Sequence, residues 1–201
     1  MSIQSDVQVG FIADENAADP DRLVTAARPN TSATMAETTF LGGGARNVTV
    51  TTTGTGDNAK TCTITGTDVF GNAITEVIVS TGSAEAVAGA KLFLTVSAVE
   101  CSAQYAANIT VGSGSLCASA VSGGNRTRMK GYSIVSAGTA GLVDFYNGTP
   151  EDGTIIFKAQ TLGTDNTTID NTIPDEGILF GSGLTVGYTV ATVVLANIFF
   201  A

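Results

Sequence analysis

Apolar and hydroxyl side chains alternate with a period of two through almost every informative segment of this chain. In NVTVTT (residues 47–52) the valines point to one side and the threonines to the other, as in a strand with one buried face and one solvent-facing face. KTCTITG (60–66) repeats the pattern. The same alternation predicts further strands near residues 73–80, 91–99, 106–111, 132–136, 142–147, 154–160, 167–173, 184–190 and 193–200. The chain is therefore predicted to be all-β.

Glycine, asparagine and aspartate mark the turns between these strands. GTGDN (54–58) predicts a hairpin that joins the first two of them. GTDVFGN (66–72) supplies the residues of a second turn, which leads into the next strand. The strands at 132–136, 142–147 and 154–160 are expected to form a three-stranded meander.

Helix signals are almost missing. The one candidate is Asp19–Ala27, where Asp19 would cap the helix and Pro20 would take its first position. A helix of about two turns is marginal by itself. The surrounding segment, residues 13–41, has little apolar alternation and many small residues. We therefore expect an extended arm that gains its order on a neighbour.

Small residues and glycine dominate from Gly112 to Asn125, and this composition predicts a linker or long loop. The two parts on either side are each expected to be a small antiparallel β-sandwich or barrel-like domain. The related segments AANITVG (106–112) and LANIFFA (195–201) leave both duplication and independent origin open. The predicted organisation is an N-terminal arm at 1–41, a first β-domain at 42–114, a linker at 115–128 and a second β-domain at 129–201.

The chain contains no histidine, which excludes Ser-His-Asp and Cys-His catalysis and imidazole metal ligands. Acid–base chemistry would fall to carboxylates that lie mostly in predicted turns, where such groups bind backbone amides. They are Asp68, Asp144, Glu151, Asp152, Asp165, Asp170, Asp175 and Glu176. No enzyme activity, catalytic residue or cofactor is predicted. Two pairs are adjacent in sequence, Glu151–Asp152 and Asp175–Glu176. Each pair either lies in a solvated turn or supplies ligands to calcium.

The formal net charge of −9 argues against sequence-independent nucleic-acid binding. One basic cluster, Arg126, Arg128 and Lys130, has the spacing that would place all three on one face of a strand. The cluster either binds a carboxylate or an acidic subunit, or belongs to a solvated linker. The longest apolar block, residues 193–201, is far shorter than the roughly 20 residues that span a bilayer. The start, MSIQSDVQVG, lacks signal-peptide features, so we expect neither a membrane nor a targeting segment.

The three cysteines allow at most one internal disulfide. Cys62 alternates with threonines and is predicted to be a small core residue. Cys101 and Cys117 flank a predicted strand, so they could bridge to each other or to a neighbouring chain, or stay reduced.

The last strand, Val193–Phe200, is apolar on both faces apart from Asn197. Such a strand is either central in a sandwich or covered by another subunit. In both cases it is predicted to be indispensable for folding.

The block NVTVTTTGTGDNAKTCTITGTDVFGNAITEVIV (47–79), followed by KLFLTVSAVECSAQYAANITVGSG (91–114), resembles a module of tailed-bacteriophage virion proteins. In that module a strand pair precedes a GTDxxGNxxTE turn, and a TVxSV segment precedes a closing NxxVG. GLVDFYNGTPEDGTIIF (141–157) and DEGILFGSGLTVGYTVATVVLANIFF (175–200) are similar to another small phage β-domain. Together these segments cover about 150 of the 201 residues.

The resemblance implies a capsid decoration or cement protein that binds the major capsid protein or other virion proteins. It implies assembly in the host cytoplasm, a final location in the virion, and a homo-oligomer such as a trimer. A neck, tail, knob or fibre component is the alternative in the same class. An adhesive or carbohydrate-binding module is the rival from another class, and such modules usually display exposed aromatic residues. Only 6% aromatic content and no tryptophan argue against that rival.

Overall fold

The computed structural model describes residues 7–12, 17–82 and 84–201. In that part of the chain, regular structure consists of fifteen strands and one 3-10 turn at Thr55–Asp57. The prediction of an all-β chain is therefore confirmed. The strands are β1 (Gln8–Ile12), β2 (Val24–Ala27), β3 (Ala45–Thr52), β4 (Thr61–Thr67), β5 (Ala73–Val79), β6 (Ala86–Phe93), β7 (Thr95–Cys101), β8 (Ile109–Ala120), β9 (Thr127–Ser136), β10 (Leu142–Asn147), β11 (Thr154–Gln160), β12 (Thr167–Thr172), β13 (Ile178–Phe180), β14 (Leu184–Thr189) and β15 (Val193–Phe200).

The chain divides into two compact units. The middle unit is Asn16–Cys117, and the terminal unit combines Met1–Glu15 with Ala118–Ala201. Strand β8 begins in the middle unit and ends in the terminal unit.

The middle unit is built from two sheets. One has the strand order β2-β8-β3-β6 and the other has the order β5-β4-β7. Val48 and Val50 of β3 share one buried cluster with Ile64 of β4 and with Val96 and Val99 of β7. Because these side chains come from both sheets, the unit is a β-sandwich whose core lies between them.

The terminal unit also has two sheets. In the first, the antiparallel order is β1-β15-β9-β12, and β13 pairs with another part of β9. In the second, β10 lies between β11 and β14. Tyr132 of β9 packs against Phe145 and Phe157 of the second sheet, and the three ring centroids are 5.5–5.8 Å apart. This aromatic cluster fills the space between the two sheets.

Residues 17–41, predicted to belong to an arm, contribute side chains to the middle unit's core. Leu23 and Val24 are fully buried, Phe40 is 5% exposed, and the N–H of Leu23 donates to the carbonyl of Val111. The predicted helix at Asp19–Ala27 is wrong, because Val24–Ala27 forms a strand that pairs with β8. Burial of adjacent apolar residues outweighs the weak propensity of a two-turn helix. Residues 17–41 thus obtain their order from their own chain. Residues 1–6 and 13–16 of the predicted arm lie outside the described part.

The predicted linker at 115–128 also differs from the structure. Its first six residues belong to β8, and its last two open β9. The glycines just before it allow atoms of neighbouring segments to lie close to the backbone of β8. A Cβ at Gly112 would lie 2.0 Å from the carbonyl oxygen of Asp19, and one at Gly114 would lie 2.4 Å from Asn47 Oδ1. Glycine in this strand therefore allows neighbouring groups to approach it closely, and it does not mark a flexible connection.

Several predicted pairings are wrong although their strands exist. The turn at 54–58 does not close a hairpin, because β3 and β4 belong to different sheets. The predicted meander is half correct: β10 and β11 pair, but β9 lies in the other sheet. The turn at 66–72 does join the antiparallel pair β4 and β5, as predicted. The single strand predicted at 91–99 is divided at Leu94 between β6 and β7.

Candidate functional site

The turn of the GTDxxGNxxTE segment is built around the carboxylate of Asp68. Its Oδ1 accepts hydrogen bonds from the backbone N–H groups of Phe70 and Asn72, both at 2.8 Å. Its Oδ2 accepts one from Asn72 Nδ2 at 2.9 Å. Gly71 has a φ of +85°, which favours glycine. These residues therefore fix the connection from β4 to β5.

Glu76, the last residue of the same segment, connects the two sheets of the middle unit. From β5, its Oε1 accepts hydrogen bonds from the backbone N–H groups of Ala90 at 2.7 Å and Lys91 at 3.3 Å, both in β6. A Cβ at Gly89 would lie 2.3 Å from Glu76 Oε2, so a glycine leaves room for the carboxylate. Backbone hydrogen bonding thus explains both acidic positions of the segment.

The other predicted carboxylates are dispersed. Asp144 forms an ion pair with Lys158 at 2.9 Å, and Glu176 forms one with Arg128 at 3.0 Å. The remaining members lie in the β10–β11 turn (Glu151, Asp152), before β12 (Asp165), on β12 (Asp170) and before β13 (Asp175). Within the described ranges, no group of three or more histidine, cysteine, aspartate or glutamate residues could hold a metal ion.

The basic cluster is divided by the fold. Arg128 and Lys130 lie on β9, where Arg128 pairs with Glu176 and Lys130 Nζ donates to the carbonyl of Asp175 at 3.2 Å. Arg126 precedes β9 and lines a cavity of about 400 Å³ in the terminal unit. Two of the three basic side chains are thus engaged by their own chain.

A buried carboxylate organises one end of the middle unit. Asp57 is fully buried, and its Oδ1 lies 2.7 Å from Lys60 Nζ. Its two oxygens also accept hydrogen bonds from the backbone N–H groups of Ala106 at 2.6 Å and Ala107 at 3.1 Å. Burial opposes ionisation, but the hydrogen bonds from Lys60 and the two amides lower the pKa of Asp57 below its ordinary value. The charged group thus holds together segments about 50 residues apart.

The cysteines are arranged differently from the predicted alternatives. Cys62 is fully buried in the core, in agreement with its predicted place. Its Sγ lies 3.9 Å from Sγ of Cys101 and 3.3 Å from the hydroxyl of Tyr105. None of the three cysteines forms a disulfide, and Cys117 lies on β8. Cys101 is therefore next to Cys62, a pairing that the sequence analysis missed.

An exposed row of apolar side chains runs along β1 in the terminal unit. Val7, Val9 and Phe11, called the apolar row below, are 43%, 56% and 66% exposed. Ile12 points to the opposite side and is buried. The row continues onto the half-buried Phe199 of β15, which pairs with Val9. On β15 the apolar surface is limited to Phe199 at this point, because Phe11 pairs with the polar Asn197.

The two edges of this sheet differ in charge. Neither β1 nor β15 contains a charged residue, whereas β12 at the opposite edge carries the exposed Asp170. Among the described residues, β1 pairs with β15 alone. Edge strands usually carry charge or proline to prevent association, and β1 has neither. The sequence analysis did not predict β1, although the period-two alternation of VQVGF (residues 7–11) indicates a strand.

In the described part of the chain, no helix has the length and apolar character needed to cross a membrane. In comparisons with known proteins, no family model matches the chain, and no curated protein or solved structure shows significant similarity to it.

Proposed function

We propose that this protein is a structural component of a tailed-bacteriophage virion, which binds the assembled capsid and stabilises it as a decoration or cement protein. The observation that carries the proposal is the apolar row on the uncharged edge strand β1. Exposed apolar patches on soluble proteins often mark sites of protein association. The resemblance of residues 47–79 and 91–114 to phage virion modules supplies the partner, the major capsid protein.

The mechanism is thermodynamic. A protein that binds the assembled shell, but not its separate subunits, stabilises the shell by linkage. Burying a valine or phenylalanine side chain contributes about 1.5–3 kcal/mol. Repeated over a symmetric lattice, even a modest contact becomes a large total stabilisation. A homo-oligomer such as a trimer would match the local symmetry of a capsid and present several apolar rows together.

Two other functions remain as alternatives. A neck, tail, knob or fibre component would use the same surface against a different virion protein. An adhesive or carbohydrate-binding module would bind sugars, for which exposed aromatic rings are the usual platform. Phe11 is the one large aromatic side chain among the exposed hydrophobic residues of the described chain, which favours a protein partner.

The number of copies in purified particles distinguishes these functions. Quantitative mass spectrometry is expected to find hundreds of copies per particle for a cement protein, and on the order of a dozen for a neck or tail component. Absence from particles would contradict both virion functions, and binding of the isolated protein to a glycan array would support the adhesive alternative.

Charge introduced into the apolar row is expected to weaken capsid binding strongly. The double variant Val9→Asp, Phe11→Asp should bind particles that lack this protein at least tenfold more weakly. Loss of one buried apolar contact costs about 1.5–3 kcal/mol, and 1.4 kcal/mol is a factor of ten. Co-sedimentation with particles measures the binding. Because both side chains are exposed, the free energy of unfolding should change by less than about 1 kcal/mol.

Val77→Asp is the matched control, since Val77 is 57% exposed and Val9 is 56% exposed. Val77 lies on β5 in the middle unit. This variant should bind like the wild type. Equal loss of binding in both variants, or loss in the Val77 variant alone, would show that the apolar row is not the contact.

A further inference from the structure

We propose that Cys62 and Cys101 form a reversible internal disulfide when the folded protein meets a hydroperoxide. The pair lies in the core of the middle unit, on the adjacent antiparallel strands β4 and β7. The chemistry is independent of capsid binding, so the failure of either proposal leaves the other intact.

The strand register places the two residues directly opposite each other. The N–H of Cys101 donates to the carbonyl of Thr31, away from β4, and the N–H of Ser102 donates to the carbonyl of Thr61. Cys62 and Cys101 therefore form a non-hydrogen-bonded pair. In such pairs the Cα atoms are about 4.5 Å apart and the side chains are closest. That separation lies within the range of about 4.4–6.8 Å that a disulfide spans.

The thiols are already in contact, with 3.9 Å between the two Sγ atoms. A disulfide needs about 2.05 Å, which small side-chain rotations can supply when the backbone separation is suitable. Cys117 is on β8, and it is not a member of the buried cluster that contains the other two cysteines. The geometry thus selects one of the three possible pairs.

The surroundings assign different roles to the two sulfurs. The hydrogen bond with Cys101 lowers the pKa of Cys62, and the hydroxyl of Tyr105, 3.3 Å from the Cys62 Sγ, acts in the same direction against the effect of burial. The interaction with Cys62 and burial together raise the pKa of Cys101. We assign the thiolate to Cys62 because two possible donors reach its Sγ, the thiol of Cys101 at 3.9 Å and the hydroxyl of Tyr105 at 3.3 Å. Both residues are buried, and Cys101, at the end of β7, is the more exposed of the two at 8%.

The reaction has two steps. The Cys62 thiolate attacks one oxygen of hydrogen peroxide, the O–O bond breaks, and the departing hydroxide takes up a proton to leave as water. The sulfur of Cys101 then attacks the resulting Cys62 sulfenic acid, and its proton leaves with the hydroxyl group as a second water. Two thiols and one peroxide thus give one disulfide and two waters. The sulfur pair loses two electrons and the peroxide gains them.

The disulfide would close the loop from residue 62 to residue 101 and link two strands of one sheet. It would restrict the unfolded chain and so stabilise the middle unit once the protein leaves a reducing compartment. The expected rise in melting temperature of the middle unit is at least about 10 °C.

The test treats the folded full-length protein with hydrogen peroxide and then alkylates it in denaturant. Wild-type protein should lose two of its three alkylatable thiols, lose about 2 Da in intact mass before alkylation, and recover both thiols after reduction. This measurement requires no variant. Retention of three alkylatable thiols in peroxide-treated, folded protein would overturn the proposal.

Variants identify the pair. Cys117→Ala is the matched control because this cysteine is also buried, and it should still form the bond. Cys62→Ala and Cys101→Ala should form no internal disulfide and show no rise in melting temperature on oxidation. A bond that is lost in the Cys117 variant, or that joins two chains, would contradict the assignment.

Tyr105 is a positioning residue in this reaction. Tyr105→Phe should slow disulfide formation and shift its pH profile to higher pH, because the Cys62 thiolate loses a donor. A role in packing alone would leave the pH profile unchanged.

Discussion

Deletion of residues 193–201 is expected to abolish the cooperative unfolding transition of the terminal unit. The deletion removes β15, which lies between β1 and β9 and pairs with both. β1 would lose its one strand partner among the described residues, and β9 would gain an open edge. The buried side chains of Val193 and Ile198 would also be lost from the core. Circular dichroism and limited proteolysis of the purified variant measure the outcome.

A pair of point variants separates the role of the strand from that of chain length. Ile198 is fully buried, whereas its neighbour Asn197 is half-buried on the opposite face. Ile198→Asp places an unpaired charge in the core and should lower the free energy of unfolding by about 4 kcal/mol or more. Asn197→Asp introduces the same side chain and should cost less than about 1 kcal/mol. A soluble deletion variant that melts cooperatively, or equal costs for the two substitutions, would show that β15 does not hold the unit together.

Replacement of Asp57 by asparagine is expected to destabilise the middle unit by about 3 kcal/mol at neutral pH. The carboxylate is fully buried and accepts hydrogen bonds from Lys60, Ala106 and Ala107. Hydrogen bonds to charged groups contribute about 1.5–3 kcal/mol each, and removal of one member of a buried ion pair leaves the other uncompensated. Urea unfolding monitored by tyrosine fluorescence or circular dichroism measures the change.

The effect of this substitution should depend on pH in a defined direction. Folding lowers the pKa of Asp57 from its ordinary value near 3.8, so the folded state favours the ionised group. The stabilisation is then fully present above about pH 4 and is lost as the pH falls through the folded pKa. The difference in stability between wild type and the Asp57→Asn variant should therefore be largest at neutral pH and should shrink below pH 4.

Asp21→Asn is the matched control, since Asp21 is an exposed aspartate in the same unit. The Asp21→Asn substitution should change the free energy of unfolding by no more than about 0.5 kcal/mol at every pH. A constant difference between wild type and the Asp57 variant from pH 7 down to pH 3 would contradict the role assigned to the charge.

Short-range patterns in the sequence predicted much of the local structure correctly. The alternation in residues 47–52 and 60–66 marked the positions of β3 and β4, and the turn from Asp68 to Asn72 marked the connection to β5. The solvent-facing side predicted for 47–52 is wrong, because β3 is buried on both faces. These features succeed because a strand face and a tight turn are each specified by a few neighbouring residues. The same local rule would have revealed β1, whose alternation is equally regular.

Strand partners and contacts between distant residues could not be predicted in this way. The period-two pattern shows which side of a strand is buried, but it does not identify the strand that covers or pairs with it. For this reason the turn at 54–58 was predicted to close a hairpin. In the structure, this turn connects β3 in one sheet to β4 in the other sheet. At this connection, the backbone N–H groups of Ala106 and Ala107 donate hydrogen bonds to the carboxylate of Asp57.

The sequence by itself therefore determined the all-β class, most strand positions and the absence of imidazole chemistry. The tertiary structure decided which strands share a sheet, and it packed residues 17–41 onto the middle unit with Leu23, Val24 and Phe40 in its core. It also set Cys62 against Cys101 and left the apolar row exposed on β1. Backbone alternation depends on adjacent residues, whereas pairing, burial and exposure depend on how distant strands fill a common core.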